Sequence, residues 1–179
     1  MKKISIIILH YENLSDTKQC LDSLLPYIFN EDAEVNIIVV DNGSRKEKLI
    51  SIKNEYDYEN IVFLYNENNM GFAKGNNVGY RYAKLKLHSD IIILANNDLI
   101  FKQYNFIDVL LDDYNTMHFD VAGPKILSLE DGKNQNPVPT MYHSIKDVKI
   151  RIFKFYILYL LSFFNLDNFI RNLNRKEIK

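Results

Sequence analysis

The chain has 179 residues, with 22 basic and 23 acidic side chains and 47% hydrophobic residues. This is the composition of a globular domain, so disorder as the main state is excluded. The single cysteine, Cys20, excludes a disulfide scaffold and fits a reducing cytosol. The net charge of −1 argues against a general nucleic-acid-binding protein, and the four histidines and one cysteine lack zinc-ligand spacing.

Charge is unevenly divided along the chain. Residues 1–139 carry a net charge of −6, whereas residues 140–179 carry +5. The basic tail also contains the most apolar run, FYILYLLSFF at residues 155–164, which is well short of the ~20 residues that a membrane span needs. The apolar run near the N-terminus, residues 4–9, is too short for a signal peptide and predicts a first strand. We therefore expect a cytoplasmic protein.

The predicted elements alternate between strand and helix. Continuous apolar runs predict buried strands at residues 4–9, 35–40 and 90–95. Residues 61–65 predict a further short strand, and residues 121–127 are a candidate fifth strand. Helical spacing predicts helices from Ser15 to about Leu25, from a Ser44 cap through residues 45–56, and at residues 73–87 and 105–114. The only long linker is residues 128–144. This alternation predicts an α/β fold with an open, mostly parallel sheet and helices on both faces.

Polar segments follow the first four predicted strands, at residues 10–13, 41–44, 66–77 and 96–98. Ligands of open parallel sheets bind outside the carboxyl ends of the strands, where the strand order reverses. The four segments are therefore the candidate binding site.

Two carboxylates at strand ends each have a structural and a functional interpretation. Asp98 follows a run of aliphatic residues. It either caps the next helix, is simply solvated at the strand end, or binds Mg²⁺ or Mn²⁺ together with substrate phosphates. Asp41 either forms a turn with the residues that follow or accepts a hydrogen bond from a ribose hydroxyl or a base N–H. His10 is either structural or catalytic, and Tyr11 either lies at the rim of the core or stacks on a base.

Three glycines recur at four-residue spacing, at Gly71, Gly75 and Gly79. Each glycine inside a helix costs ~1 kcal/mol relative to alanine, so a compensating reason is expected. Either the helix packs closely on the sheet, or a phosphate ligand approaches its N-terminus, where Lys74 would add a cation. The spacing matches neither the dinucleotide G-x-G-x-x-G pattern nor a P-loop.

Four motifs together resemble the N-terminal half of glycosyltransferase family 2, near its rhamnosyltransferase-like branch. They are SIIILHYEN at residues 5–13, VVDNGS at 39–44, NMGFAKGNNVG at 69–79 and LANNDL at 94–99. The resemblance covers residues 3–132 and includes the order and spacing of the motifs. It implies a GT-A fold, a nucleotide-sugar donor, and Mg²⁺ or Mn²⁺ as cofactor at a D-x-D-type site.

The resemblance also implies a set of site residues. The nucleobase, ribose and diphosphate would be bordered by His10, Tyr11, Glu12, Asp41, Gly71, Phe72, Ala73, Asn76, Asn96 and Asn97. Asp98 would be the metal ligand, since it is the only carboxylate of the triplet that stands where the family has D-x-D. Asn96 replaces the first aspartate of that pattern.

The function implied is transfer of a sugar from a UDP- or dTDP-sugar to a saccharide or lipid-linked acceptor, in surface polysaccharide synthesis. The family's general base is a downstream acid in an E-D-like segment, and after Asp131 only Asp147, Asp167 and Glu177 are acidic. We therefore expect a truncated chain, a split gene or a non-catalytic remnant, with the catalytic residue unassigned. The alternative is a nucleotide-sugar-binding module without turnover, acting as a partner or a membrane-associated subunit. A nucleotidyltransferase is disfavoured because residues 10–13 contain no Gly, Lys or Arg.

The tail predicts an interaction surface. We expect a donor-binding core at residues 1–132, followed by a linker and helical tail at residues 133–179. Residues 150–164 are apolar nearly all round and are flanked by basic residues. Either protein covers this surface, as a homodimer or a missing C-terminal half, or the helix lies on the inner face of an anionic membrane. We favour protein packing.

Overall fold

The computed structural model describes residues 1–136 and 145–162. The chain divides into two compact units, Met1–Phe119 and Asp120–Lys179. This division falls earlier than the boundary expected at residue 132. Within the described residues, no helix is both long and apolar enough to cross a membrane.

The first unit contains a four-stranded, fully parallel sheet in the order β3-β2-β1-β4. Its strands are β1 (Lys2–His10), β2 (Ala33–Asp41), β3 (Ile61–Tyr65) and β4 (Ile91–Asn96). The chain moves outward from β1 to β3 and then returns to the other side of β1 at β4. This reversal creates a switch point between β1 and β4 at the carboxyl edge of the sheet.

The described residues form four α-helices. The first unit contains α1 (Leu14–Leu24), α2 (Phe72–Tyr82) and α3 (Phe106–Met117), and the second unit contains α4 (Ile145–Ser162). Short 3₁₀ helices span Leu25–Phe29, Leu49–Ser51 and Lys53–Tyr56, and a π-helical turn, Ala83–Leu87, continues α2. The cap of α1 is Asn13 rather than the predicted Ser15, because Asn13 Oδ1 accepts the backbone N–H of Asp16 at 3.1 Å. The helix ends just before Pro26, as the sequence predicted.

Helices cover both faces of the sheet. On one face, Ile4, Ile6 and Ile8 of β1 pack in the same cluster as Leu21 of α1 and Ile107 of α3. On the other face, the buried cluster comprises Ile7, Ile38, Val40 and Ala83, with Val78 and Tyr82 of α2 packed against it. The predicted doubly covered α/β sheet is confirmed.

Two predicted elements are wrong. The helix expected at residues 45–56 is instead a loop followed by two short 3₁₀ helices. The fifth strand expected at residues 121–127 is absent from the described chain: Val121 is 90% exposed, and only an isolated bridge joins Leu127 to Asn134. Residues 137–144 of the predicted linker, and Phe163 and Phe164 of the apolar run, lie outside the described residues.

Candidate functional site

The carboxyl ends of three neighbouring strands bring the predicted polar segments to one edge of the sheet. His10 of β1 pairs in register with Asp41 of β2, and Leu9 pairs with Asn96 of β4. Because neighbouring strands lie ~4.8 Å apart, the ends of β2 and β4 are roughly 10 Å apart across β1. Asp41 and the 96–98 turn therefore flank the residues that follow β1.

Glu12 organises the loop that follows β2. Its backbone is left-handed, with φ of 58°, and its carboxylate accepts the N–H groups of Arg45, Lys46 and Glu47 at 2.6, 3.1 and 3.1 Å. These bonds, that from Arg45 first, lower the pKa of the Glu12 carboxyl below its ordinary value. The Glu12 carboxylate is thus committed to the loop, and its predicted contact with a nucleotide stays a prediction.

Asp41 also holds this loop. It is 4% exposed, and its two carboxylate oxygens accept the backbone N–H groups of Ser44 at 2.8 Å and Leu49 at 3.3 Å. The turn-forming interpretation of Asp41 therefore fits the structure. Each carboxylate oxygen has a second lone pair, so a hydrogen bond from a base or ribose is compatible with this geometry.

Asn42 is a supporting residue that the sequence analysis did not single out. It is 3% exposed; its Nδ2 donates to Asn69 Oδ1 at 3.0 Å, and its Oδ1 accepts the N–H of Met70 at 3.1 Å. The buried Asn42 side chain therefore sets the path of the loop that leads to α2. Its position after Asp41 at a strand end was the available signal, but that pattern also fits an ordinary turn.

The N-terminus of α2 is open. Gly71 precedes the helix with φ of 78°, no side chain of the described residues caps it, and Phe72 is 67% exposed. The N–H groups of a first helical turn lack partners within the helix, and the helix dipole favours an anion there. Together with the exposed Ala73, this end of α2 provides a surface that suits a phosphate.

The later glycines of α2 are explained by close packing on the sheet. A Cβ at Gly75 would lie 2.7 Å from Leu9 Cδ1, and one at Gly79 would lie 2.5 Å from Ile7 Cγ2. Asn76 is 5% exposed and donates from Nδ2 to the carbonyl of Phe72 at 3.0 Å. Its amide is therefore already used inside the helix, and its predicted contact with the diphosphate stays a prediction.

The turn after β4 presents an uncommitted carboxylate. Asn96 and Asp98 are exposed, and no hydrogen bond or ion pair within the described residues occupies the Asp98 carboxylate. Beneath the turn, the thiol of Cys20 donates to the Asn96 carbonyl at 3.7 Å. Burial, followed by the negative charge of Asp98, raises the pKa of the Cys20 thiol to about 12.

The donor set of this turn fits a divalent cation that is shared with a phosphate ligand. Mg²⁺ and Mn²⁺ prefer oxygen ligands and commonly take one or two carboxylates plus substrate phosphates. Asp98 supplies one free carboxylate, and Asn96 adds an exposed amide. Within the described part of the chain, no group of three His, Cys, Asp or Glu side chains forms a site made by protein alone.

His10 takes a different place from the one predicted. Its side chain is fully buried, with Nδ1 2.8 Å from Thr17 Oγ1 and Nε2 2.7 Å from the carbonyl oxygen of Glu47. Direct contact of this ring with a nucleotide does not fit the geometry, because both ring nitrogens are already hydrogen-bonded inside the protein. Tyr11, in contrast, is 47% exposed and available for stacking.

The sequence profile of glycosyl transferase family 2 matches residues 5–173. The chain belongs to this family. The low-salt glycan biosynthesis hexosyltransferase Agl10 of Haloferax volcanii is 26% identical to this chain over 145 residues. The match includes 79% of this chain but 43% of Agl10. The chain thus spans less than half the length of this curated relative.

Solved structures of glycosyltransferases share the fold. S. aureus TarS 1-349 in complex with UDP-GlcNAc matches with a TM-score of 0.57 at 20% identity, over 72% of this chain and 37% of TarS. The mannosyltransferase PcManGT of Pyrobaculum calidifontis, solved with GDP-Man and Mn²⁺, matches with a TM-score of 0.56 at 14% identity, over 72% and 36%. The predicted GT-A fold is confirmed.

Proposed function

We propose that this chain binds the nucleotide-sugar donor of a family 2 glycosyltransferase, which moves the sugar from a UDP- or dTDP-sugar to a saccharide or lipid-linked acceptor. The observation that carries the proposal is the uncommitted carboxylate of Asp98, on the same sheet edge as Asp41 and two strands away from it. Family membership supports the reaction class. The UDP-GlcNAc and GDP-Man bound to the two structural neighbours support a nucleotide-sugar donor.

The chemistry of the reaction assigns roles to these residues. Transfer breaks the bond from the anomeric carbon to the diphosphate, so negative charge grows on the leaving diphosphate. The open N-terminus of α2 would receive that charge through the backbone N–H groups of its first turn. When bound at Asp98, a divalent cation supplies Lewis-acid stabilisation of the same diphosphate.

The other end of the donor would lie toward β2. The exposed Tyr11 would stack on the base, while Asp41 would accept a hydrogen bond from the base or ribose through a free lone pair. Proton removal from the acceptor hydroxyl requires a general base within hydrogen-bond reach. We assign that role to no residue of this chain, so the non-catalytic binding module stays the second candidate.

We further propose that the protein works in the cytoplasm in surface polysaccharide synthesis.

We also propose that α4 is covered by protein. Apolar side chains on α4 are exposed, including Ile152, Phe153 and Tyr156 at 62, 63 and 59%. A surface of this kind would promote aggregation if it stayed in water. Peripheral contact with an anionic membrane is the alternative, and sedimentation with anionic vesicles distinguishes the two.

Calorimetry tests the donor-binding proposal. UDP or dTDP is titrated into the wild type, Asp98→Asn and Asp113→Asn, each with Mn²⁺ and with EDTA. Asp113 is an exposed acid on α3 and controls for the loss of one charge. We expect Mn²⁺-dependent binding by the wild type and Asp113→Asn, and a loss of roughly tenfold or more in Asp98→Asn, because Asp98 supplies the protein's carboxylate to the cation. Equal binding by Asp98→Asn, or no binding by the wild type, would overturn the proposal.

A separate assay addresses turnover. Sugar-nucleotide hydrolysis or transfer by this chain would establish catalysis, whereas metal-dependent binding without turnover would favour the binding module.

A further inference from the structure

A partly buried line of hydrogen bonds at the candidate site joins four segments of the chain. Asn97 Nδ2 donates to Thr17 Oγ1 at 3.0 Å, Thr17 Oγ1 lies 2.8 Å from His10 Nδ1, and His10 Nε2 lies 2.7 Å from the carbonyl oxygen of Glu47. Thr17 and His10 are both fully buried. The line therefore connects the turn after β4, the start of α1, the end of β1 and the loop after β2.

The donor and acceptor properties of these groups determine which atom donates in each hydrogen bond of the line. A carbonyl oxygen only accepts, so His10 Nε2 carries the proton donated to Glu47. In a neutral ring, Nδ1 then accepts, and it takes the proton of the Thr17 hydroxyl. That hydroxyl also donates to the Asn13 carbonyl at 2.9 Å, so its one proton is shared between this oxygen and His10 Nδ1. The neutral arrangement runs from Asn97 through Thr17 and His10 to Glu47.

The face of α1 that carries Thr17 also bonds to other residues of the segment after β4. Thr17, Cys20 and Ser23 recur at three-residue spacing, which places them along one side of the helix. Thr17 accepts from the Asn97 side chain, Cys20 donates to the Asn96 carbonyl, and Ser23 Oγ accepts the N–H of Phe101 at 3.1 Å. Asp98 lies between these attachment points, which leave its own carboxylate uncommitted.

We propose that Thr17 is a positioning residue for the cation and diphosphate: it fixes the side chain of Asn97, so that the 96–98 turn presents Asp98 to the metal-bound donor. Through His10, Thr17 also connects this turn to the loop that Asp41 and Glu12 organise. The inference rests on the proposed function, since it concerns the same site. Thr17 touches neither donor nor cation and acts through Asn97.

Three substitutions at position 17 separate positioning from folding. Thr17→Val keeps the shape but removes the hydroxyl, Thr17→Ser keeps the hydroxyl, and Thr17→Cys supplies a weaker donor and acceptor of similar size. Each variant is titrated by calorimetry with UDP in Mn²⁺ and with UMP in EDTA, and the midpoint of urea unfolding is recorded. The UMP arm reports nucleotide binding at the proposed nucleoside-binding residues, Tyr11 and Asp41, without the metal.

We expect the substitutions to change the affinity for UDP in Mn²⁺ but not the affinity for UMP in EDTA. Loss of the partner that orients a metal-ligand segment typically weakens metal binding by 10–100-fold, so we expect roughly a tenfold loss of Mn²⁺–UDP affinity in Thr17→Val. UMP binding should stay within about twofold, Thr17→Ser should match the wild type, and Thr17→Cys should fall between and serve as the test if Thr17→Val does not fold.

Two results would overturn the inference while leaving the proposed function intact. One is wild-type affinity for Mn²⁺–UDP in Thr17→Val, or in Thr17→Cys if that variant is the test. The other is an equal loss in the Mn²⁺–UDP and UMP arms, which would show a merely structural role. Absence of Mn²⁺-dependent binding of both UDP and dTDP by the wild type would overturn the proposed function itself.

Discussion

Glu12 Oε1 lies 2.6 Å from the backbone nitrogen of Arg45, although the two residues are separated by 33 positions in the chain. With Asp41, this carboxylate accepts backbone N–H groups at Ser44, Arg45, Lys46, Glu47 and Leu49. The amide protons that would begin a helix at residue 45 are thus bonded by side chains from two other segments. The loop beside Tyr11 and Asp41, the proposed nucleoside-binding residues, is held by carboxylates rather than by regular secondary structure.

Glu12→Gln should loosen this loop. A neutral amide accepts weaker hydrogen bonds than a carboxylate, so we expect the N–H groups of Arg45 to Glu47 to exchange with solvent roughly fivefold faster. Hydrogen–deuterium exchange measures this directly, and Glu31→Gln, at an exposed acid outside the loop, is the control. Unchanged exchange in Glu12→Gln, or the same acceleration in Glu31→Gln, would contradict the assigned role.

The wild-type loop should also respond to acid. The folded protein lowers the pKa of Glu12 from its ordinary value of 4.5, so the bonds to the charged form stabilise the fold above pH 4.5. That contribution is lost as the pH falls below 4.5 and through the lowered folded pKa. Loop exchange in the wild type, corrected for intrinsic rates, should therefore approach that of Glu12→Gln in acid, and a constant difference at all pH values would contradict this account.

Gly43→Ala should destabilise the fold more than Gly71→Ala. Both glycines have φ of 78°, but a Cβ at Gly43 would lie 2.4 Å from the backbone carbon of Asn68, whereas a Cβ at Gly71 meets nothing within 4 Å. The left-handed backbone alone costs about 1–2 kcal/mol, and the clash should bring the cost at Gly43 to about 3 kcal/mol. Urea unfolding measures both variants; equal losses would show that the packing at Gly43 is looser than described.

Cys20 should resist alkylation in the folded protein. Burial raises the pKa of its thiol to about 12, and the reactive thiolate is therefore scarce at pH 8. Titration with a thiol reagent should detect no rapid reaction in native buffer. In about 6 M guanidinium, which unfolds even stable domains, the same titration should detect one thiol per chain. Rapid stoichiometric reaction of the native protein would contradict the burial of Cys20 beneath the Asn96 carbonyl.

Asn96→Asp should tighten cation binding. Asn96 is exposed beside the free carboxylate of Asp98, and it stands where the family pattern has an aspartate. A second carboxylate raises the affinity of an oxygen site for a divalent cation, and we expect Mn²⁺ to bind roughly tenfold more tightly. Mn²⁺ titration followed by electron paramagnetic resonance measures the affinity, with Asn54→Asp as the charge-matched control. Equal gains in both variants would indicate a general charge effect.

The four strands of the sheet were accessible from sequence because they depend on apolar runs. β3 was predicted with its observed bounds, and the polar segments after β1, β2 and β4 do meet at one edge. The absence of a helix at residues 45–56 could not be predicted from the sequence. Leu49, Ile52 and Tyr56 have helical spacing, and they are buried just as they would be in such a helix. The N–H of Leu49, which such a helix would direct to the carbonyl of Arg45, is instead bonded to the Asp41 carboxylate, a tertiary contact that a local pattern does not contain.

At the candidate site, too, the sequence predicted local features but not the contacts between distant segments. Sequence identified the residue types and, through the family resemblance, the triplet that holds Asp98. It did not show that His10 is enclosed, because burial of that ring depends on Thr17 and Glu47, which come from two other segments. Asn42 was missed for a similar reason, as its partners lie 27 and 28 residues along the chain.

Paramagnetic broadening tests the location of the donor most directly. Mn²⁺–UDP is added to ¹⁵N-labelled protein, with Mg²⁺–UDP as the diamagnetic reference. We predict selective loss of the backbone amide signals of residues 96–98 and 71–73, at the carboxyl edge of the sheet. Broadening confined to the acidic groove that contains Asp32, Asp108 and Asp112 beside the start of β1, with residues 96–98 unaffected, would contradict the account.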